Sequence, residues 1–284
     1  MFGNNERVIR SVLPAKAERT WYNRVWFLRT THAEKRRNIY ASALSHEVEM
    51  HASTLETTEH GGASDNRMNS SAQPDLSIRL EQVGHRFGTR KVFSGINLEV
   101  AAGQVCTVTG PNGSGKSTLL RIVAGLLAAS EGTVSVTVSG LIRSAAARRD
   151  FLGYVSPDLT LYRELTAAEN LQFFARLRGI TLTRDDLIER LTQVGLRGRG
   201  RDLVGTYSSG MRQRLKYAFA LLANPPILLL DEPTANLDVS GIAIVETIVA
   251  AQRRRVGGGL TIIATNEPRE LEWGDMTVRV DAEA

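Results

Sequence analysis

Apolar and polar positions alternate at Leu76, Ile78 and Leu80, and again at Ile96, Leu98 and Val100, the period of half-buried strands. Gln104 to Thr109 (QVCTVT) is apolar and β-branched, runs into a glycine-rich turn, and is followed by a helical run from Ser117 to Leu127. The order there is strand, loop, helix. A further strand is expected over Phe151 to Val155. Thr166 and Glu169 have the spacing of a capping box, with Leu171, Phe174 and Leu177 following at helical spacing. A second helix is expected from Asp185 to Val194, closed by Gly195, and helices dominate from about 166 to 223. Ile227 to Leu230 and Leu260 to Ala264 read as buried strands, with a helix from Ser240 to Arg254 between them and a turn at Gly257 to Gly259. That block is a βαβ unit, which requires a parallel pair of strands. No internal repeat is visible.

Residues 1–74 lack this regularity. Up to Arg37 they hold 9 basic and 3 acidic side chains, and from Asn38 to Pro74 the balance turns to 1 and 5. His60 to Pro74 (HGGASDNRMNSSAQP) has the Gly, Ser, Asn and Pro content of a flexible linker, which cannot offset its ordering entropy by burial. Residues 1–74 are therefore expected to be an N-terminal extension, disordered or the product of a misassigned start with translation beginning at Met68. An Arg-rich, acid-poor beginning also has the character of an organellar transit peptide, and Trp21, Tyr22, Trp26 and Phe27 could touch a membrane surface or a partner. Residues 75–284 are expected to form one domain, with a helical subdomain over about 157–223.

Composition narrows the classes. With 42% hydrophobic and 23% charged residues the 284-residue chain is globular in character, and its longest apolar runs, such as Ile227 to Leu230, are far short of the roughly 20 residues that span a bilayer. Cys106 is the only cysteine, so an internal disulfide framework is excluded and a reducing compartment is favoured. The net charge of +5 does not by itself point to nucleic acid, and no nucleic-acid partner is expected.

The chemistry is carried by three segments. Gly110-Pro111-Asn112-Gly113-Ser114-Gly115-Lys116-Ser117, followed by Thr118, fits G-x-x-x-x-G-K-[ST] after a strand and before a helix. In such a loop backbone N–H groups turn toward phosphate oxygens and the helix adds its positive end. Lys116 would reach the β and γ phosphates, and Ser117 would offer a hard oxygen to Mg2+. Asp231 and Glu232 end the buried strand Ile227 to Leu230 with side chains pointing to opposite sides. Asp231 would support the magnesium, and Glu232 would orient or deprotonate the attacking water. Between these segments lies Tyr207-Ser208-Ser209-Gly210-Met211, a small-residue turn entering a helix, with Gly210 standing 21 positions before Asp231. By itself such a turn is an ordinary helix cap.

Together these segments resemble the nucleotide-binding domain of ABC transporters over about residues 76–281. The resemblance implies an α/β fold with a P-loop NTPase core around a parallel sheet, an antiparallel β subdomain and a helical subdomain. It identifies Tyr207 to Met211 with the LSGGQ signature, which closes over the nucleotide of a second protomer in a head-to-tail dimer. Ser208 and Gly210 match, whereas Tyr207 replaces a leucine, Ser209 a glycine and Met211 a glutamine. Phe87 matches the aromatic residue that stacks on adenine, and Asp238 in Asn236-Leu237-Asp238 matches the acidic residue of the loop bridging the two sites. Two positions depart: Pro157 stands where the family has a magnesium-touching glutamine, so that either Asp158 or water substitutes or the contact is absent, and Asn266 stands where the family has its switch histidine.

What the resemblance implies for function is an ATPase using ATP and Mg2+, slow because Asn266 can donate a hydrogen bond but cannot titrate near neutrality. It implies a second ABC protomer, most simply an identical one, a separate transmembrane permease, and a place at the cytoplasmic face of the inner or plasma membrane. Leu161 to Asn170 occupies the coupling region, and the compact domain is most similar to export-type ATPases, including the haem-exporter kind of cytochrome c maturation. Two other readings stay open. One is a nucleotide-gated binding module with little turnover, supported by Pro157, Ser209 and Asn266. The other is a soluble mechanical ABC ATPase, which the short spacing of 94 positions from Lys116 to Gly210 disfavours, because such proteins carry long coiled-coil insertions there.

Overall fold

In the computed structural model the described residues are 75–281. The extension expected over 1–74, with its aromatic cluster and Met68, lies outside them.

Two sheets divide the strands by their hydrophobic pattern. β1 (Leu76–Phe87), β2 (Arg90–Ala101), β4 (Glu131–Val138) and β5 (Leu141–Ile142) form an antiparallel sheet in the order β2-β1-β4-β5. Its alternating strands bury Ile78, Leu80, Leu98 and Val100 and expose the residues between, as a sheet wetted on one face should. β3 (Val105–Thr109), β6 (Leu152–Val155), β7 (Ile227–Asp231), β8 (Leu260–Ala264) and β9 (Met276–Arg279) form a parallel sheet in the order β6-β7-β8-β3-β9. Every residue of β6, β7 and β8 is buried, which is why their sequences are continuous apolar runs without alternation. The expected parallel pairing of the two strands around residues 227–264 is present, with Asp231 opposite Ala264.

The helices are α1 (Lys116–Val123), α2 (Ala167–Leu177), α3 (Arg184–Gln193), α4 (Ser209–Ala220), α5 (Val239–Arg253) and the short α6 (Pro268–Leu271). α1 packs on β7 and β8, α5 on β8, and α4 on β6, while α2 and α3 both lie against α4. The helical layer over about 157–223 thus reaches the sheet through α4. The capping box of Thr166 and Glu169 is formed, and α3 has a second one made by Thr183 and Asp186, which the sequence reading began one residue late. Gly195 closes α3 as expected: at φ 68° its N–H bonds Thr192 O, and Leu196 N–H bonds Leu191 O.

α1 is shorter than the run Ser117 to Leu127 predicts. It stops at Val123 because Gly125, at φ 68°, makes the same left-handed closure, with Leu126 N–H bonding Arg121 O at 2.9 Å. A Cβ on Gly125 would lie 2.2 Å from the Ala145 carbonyl oxygen. We expect Gly125→Ala to destabilise the protein by about 2–4 kcal/mol, combining left-handed strain with the backbone clash, as read from the midpoint of denaturant unfolding.

Candidate functional site

β7, β8 and β3 are neighbours, and their carboxyl ends stand level: Ala264 is opposite both Asp231 and Val108. The loops leaving those ends therefore meet at one place, where an open parallel sheet binds ligands. The loop after β3 is the glycine-rich segment, the residue after β7 is Glu232, and Asn266 follows β8 by two positions.

The glycines of the first loop are required by space as well as by conformation. Gly110 has φ 147°, and a Cβ there would meet the Val280 carbonyl oxygen at 2.0 Å; at Gly115, φ 104°, it would meet Val92 and Phe93 side-chain carbons at 2.6 and 2.7 Å. Thr166, Thr183, Ser208 and Asp238 each cap α2, α3, α4 and α5 with a side-chain oxygen, yet α1 starts at Gly115 with no side-chain cap. Among the described helices of eight residues or more it alone leaves its first N–H groups to an outside acceptor, and an anion fits that end. Lys116 Nζ donates to the loop carbonyls of Gly110 at 2.6 Å and Pro111 at 3.1 Å. Its ammonium is thus held over the loop and can exchange these carbonyls for phosphate oxygens.

Asp231 is 2% exposed. Its Oδ1 accepts the Ser117 hydroxyl at 3.0 Å, while Oδ2 is buried without a hydrogen-bond partner. Burial pushes its carboxyl above the usual range, opposed by the Ser117 bond and reinforced by Glu232. A hydroxyl and a carboxylate with one free oxygen suit Mg2+, which keeps waters and phosphate oxygens as its remaining ligands. The described residues contain no cluster of three or more His, Cys, Asp or Glu that would form an all-protein metal cage.

Glu232 points into an open cleft of about 500 Å³ lined also by Asn112, Thr234, Asn266 and Glu270. Its backbone is left-handed, φ 49°, and its N–H bonds Ala264 O at 2.9 Å; such strain in a non-glycine residue is characteristic of functional turns. Across the cleft, Asn266 Oδ1 accepts the Gly110 N–H at 3.3 Å and its Nδ2 donates to Asn112 Oδ1 at 3.3 Å. Asn266 therefore braces the glycine-rich loop.

The other expected residues fall around this centre. Phe87 ends β1, is 55% exposed and meets His85 edge to face at 4.6 Å, leaving a ring face for an aromatic ligand. Ser208 accepts Met211 N–H at 3.2 Å as the cap of α4, the ordinary role of such a turn. A Cβ on Gly210 would stand 3.1 Å from Asn236 O, and Ser209 lies exposed beside it. Tyr207, in place of leucine, is buried and donates to Arg199 O at 2.8 Å. Asp238 caps α5 through Gly241 N–H at 2.8 Å and Ser240 Oγ at 3.0 Å, bonds that hold its carboxyl below the usual range. The segment carrying Pro157 is tied to two helices: Lys216 of α4 donates to Ser156 O and Pro157 O, both at 3.0 Å, and Arg121 of α1 pairs with Asp158 at 2.5 Å. Sequence reasoning missed Tyr217 and Glu270, which flank the residues after Glu232; the spacing of Glu270 four positions after Asn266, behind the helix-starting Pro268, was the available signal.

A model of the ABC transporter family matches residues 93–235. The chain belongs to that family. It is 38% identical over 198 residues to the daunorubicin resistance ATP-binding protein DrrA3 of Streptomyces coeruleorubidus, covering 68% of this chain and 61% of that one. Likewise it is 38% identical over 208 residues to the cytochrome c biogenesis ATP-binding export protein CcmA of Mesorhizobium japonicum, covering 72% of this chain and 99% of that one. The chain thus spans about three fifths of the first relative's length and nearly all of the second's. Among solved structures it is similar to the dimeric ATP-binding cassette MJ0796 in a post-hydrolysis state bound to ADP and Pi, with TM-score 0.62 and 24% identity over 73% of this chain and 97% of that one. The ABC ATPase fold expected from the sequence is the fold observed.

The Asp231 carboxyl gives a test with a definite sign. Because its folded-state titration is raised, the protonated form is favoured by folding. That contribution is present at low pH and is lost as pH rises through the raised value, so the ionised group is a cost at neutral pH. Asp231→Asn should raise the melting temperature of the nucleotide-free protein at pH 7 by about 2–4 °C for each kcal/mol relieved, with the gain shrinking on acidification. The same variant should lose the effect of Mg2+ on nucleotide affinity, measured by titration calorimetry.

Proposed function

We propose that this chain is the ATP-hydrolysing subunit of an ABC transporter of the export type, bound to a separate permease at the cytoplasmic face of the membrane and acting as a homodimer. The observation that carries the reading is the level meeting of the phosphate loop, the Ser117 to Asp231 bond with its free carboxylate oxygen, and Glu232 in the cleft. CcmA-like export, including haem export for cytochrome c maturation, is favoured by a match extending over 99% of that relative. Among the described residues no helix is long and apolar enough to cross a membrane.

The residues divide the work. Phe87 would stack on adenine. Gly110 to Thr118 would cradle the phosphates with backbone N–H groups and the open end of α1, and Lys116 would turn from the Gly110 and Pro111 carbonyls to the β and γ phosphates. Ser117 and Asp231 would hold Mg2+, which when bound offsets charge on the phosphates. Glu232 would accept the proton of a water whose oxygen bonds the γ-phosphorus as the bond to the β-γ bridging oxygen breaks. Asn266 Nδ2 would leave Asn112 to donate to the γ-phosphate. Ser208, Ser209, Gly210 and Met211 would close over the nucleotide held by the second protomer, with Asp238 at the junction. ATP would close the pair and product release would reopen it.

A second reading, a binding module that dimerises on ATP without useful turnover, is favoured by Asn266, since it replaces a titratable side chain with an amide already engaged with the loop. Glu232→Gln separates the two. It should lower kcat by about 10²–10⁴-fold and accumulate an ATP dimer by light scattering, whereas a parent that traps as the same dimer with no turnover above the variant's would establish the second reading. Asn266→Ala should cost about 10²–10³ in kcat, the range for a lost transition-state donor. Asn266→His should raise kcat and introduce a pH dependence near 6.5 that the parent lacks.

A further inference from the structure

The chain between Glu232 and Asp238 is a tight turn. Glu232 and Asn236 both have left-handed backbones, φ 49° and 64°, and Ala235 N–H and Leu237 N–H bond back to Glu232 O and Thr234 O at 3.2 and 3.0 Å. One peptide of this turn, joining Pro233 to Thr234, is gripped from two directions. From α4, Tyr217 Oη donates to Pro233 O at 2.8 Å and Gln213 Nε2 donates to the same oxygen at 3.4 Å. From α6, Glu270 Oε1 accepts Thr234 N–H at 3.0 Å and also the Thr234 hydroxyl. These side chains are buried, Tyr217 and Glu270 almost completely, and Glu270 Oε2 has no partner among the described residues.

We propose that Tyr217 and Glu270 are positioning residues that strap the Pro233–Thr234 peptide between the signature helix and the segment after Asn266, and so set the place of the Glu232 carboxylate. α4 begins at the signature and α6 begins two residues after Asn266. A displacement of either element therefore pulls on the same peptide, one residue from Glu232. Apolar packing would serve mere cohesion at lower cost, because a buried carboxylate oxygen without a partner is a net penalty. Burial, reinforced by the charge of Glu270, raises the Tyr217 phenol well above its usual range, so the phenol stays a donor throughout the working pH range. The proposal deepens the hydrolysis reading of this site and rests on it.

Tyr217→Phe removes one oxygen from an otherwise unchanged side chain, and Glu270→Gln keeps an acceptor for Thr234 N–H while removing the charge. Amide exchange of the nucleotide-free full chain, nucleotide affinity by calorimetry and steady-state turnover would be measured for parent, both single variants and the double variant. Tyr217→Phe should speed exchange in residues 232–237 about tenfold and lower kcat about tenfold, the equivalent of one buried hydrogen bond, with ATP affinity unchanged. The double variant should lose less than the product of the two single effects, because both act on one peptide. Unchanged exchange in 232–237, exchange rising equally through β7 and α4, or kcat falling only in step with affinity would overturn the proposal. If the parent itself shows no turnover the hydrolysis reading fails, and the exchange pattern still decides whether the strap exists.

Discussion

Everything at this site depends on the register of three adjacent parallel strands. Asp231, Ala264 and Val108 stand at one level across β7, β8 and β3, and the next bonds out of the sheet, Glu232 N–H to Ala264 O and Thr265 N–H to Val108 O at 2.9 and 3.0 Å, extend that level into the loops. A slip of one residue in any strand would turn its side chains to the opposite face. It would part Asp231 from Ser117 and direct Glu232 away from the cleft. These strands are almost completely buried: Leu228, Leu229, Leu230, Ile262 and Ile263 are at most 1% exposed, so their pairing keeps a large apolar surface from water.

On that rigid floor the polar groups are held in arrangements that are complete only with a ligand. α1 lacks the side-chain cap that the other long helices have, Asp231 keeps an unpartnered oxygen, and Lys116 satisfies its ammonium on the carbonyls of its own loop. The first two are costs to the folded chain that phosphate and a divalent cation would remove, since an uncapped helix end and a buried free carboxylate oxygen both seek opposite charge. These costs lie within a few residues of one another, at the ends of the most deeply buried strands. Affinity and stability are therefore coupled here, and nucleotide should raise the resistance of the whole domain to unfolding.

The fold and the centre of the site were legible because their determinants are local. A continuous apolar run ending in two acids marks a buried strand and its exit, and G-x-x-x-x-G-K-S specifies a backbone conformation that other residues cannot adopt. Elements whose identity depends on distant partners were not legible. β9 is four residues with mixed exposure, made a strand by pairing with β3, and β5 is two residues completing an edge. The early stop of α1 depends on Gly125 meeting Ala145, and the grip of Tyr217 and Glu270 on one peptide joins residues 16 and 36 positions away from their acceptor or donor. Such contacts leave no periodicity to find.

The two departures from the family pattern act differently. The segment at Pro157, which lacks the family's glutamine, is not loose: Lys216 binds its carbonyls from α4 and Arg121 holds Asp158 from α1. Burial lowers the Lys216 ammonium from its usual range, a shift that the charge of Asp158 opposes and that of Arg212 reinforces. The connection between α1 and α4 is thereby made by one cation on backbone carbonyls and one on the Asp158 carboxylate. In the proposed mechanism Asn266 is on the chemical path instead, where its amide would replace a group able to share a proton. Under the proposed mechanism the chemical step would slow while the linkage between the parts is kept, because the helix-to-helix ties do not run through the transition-state contact.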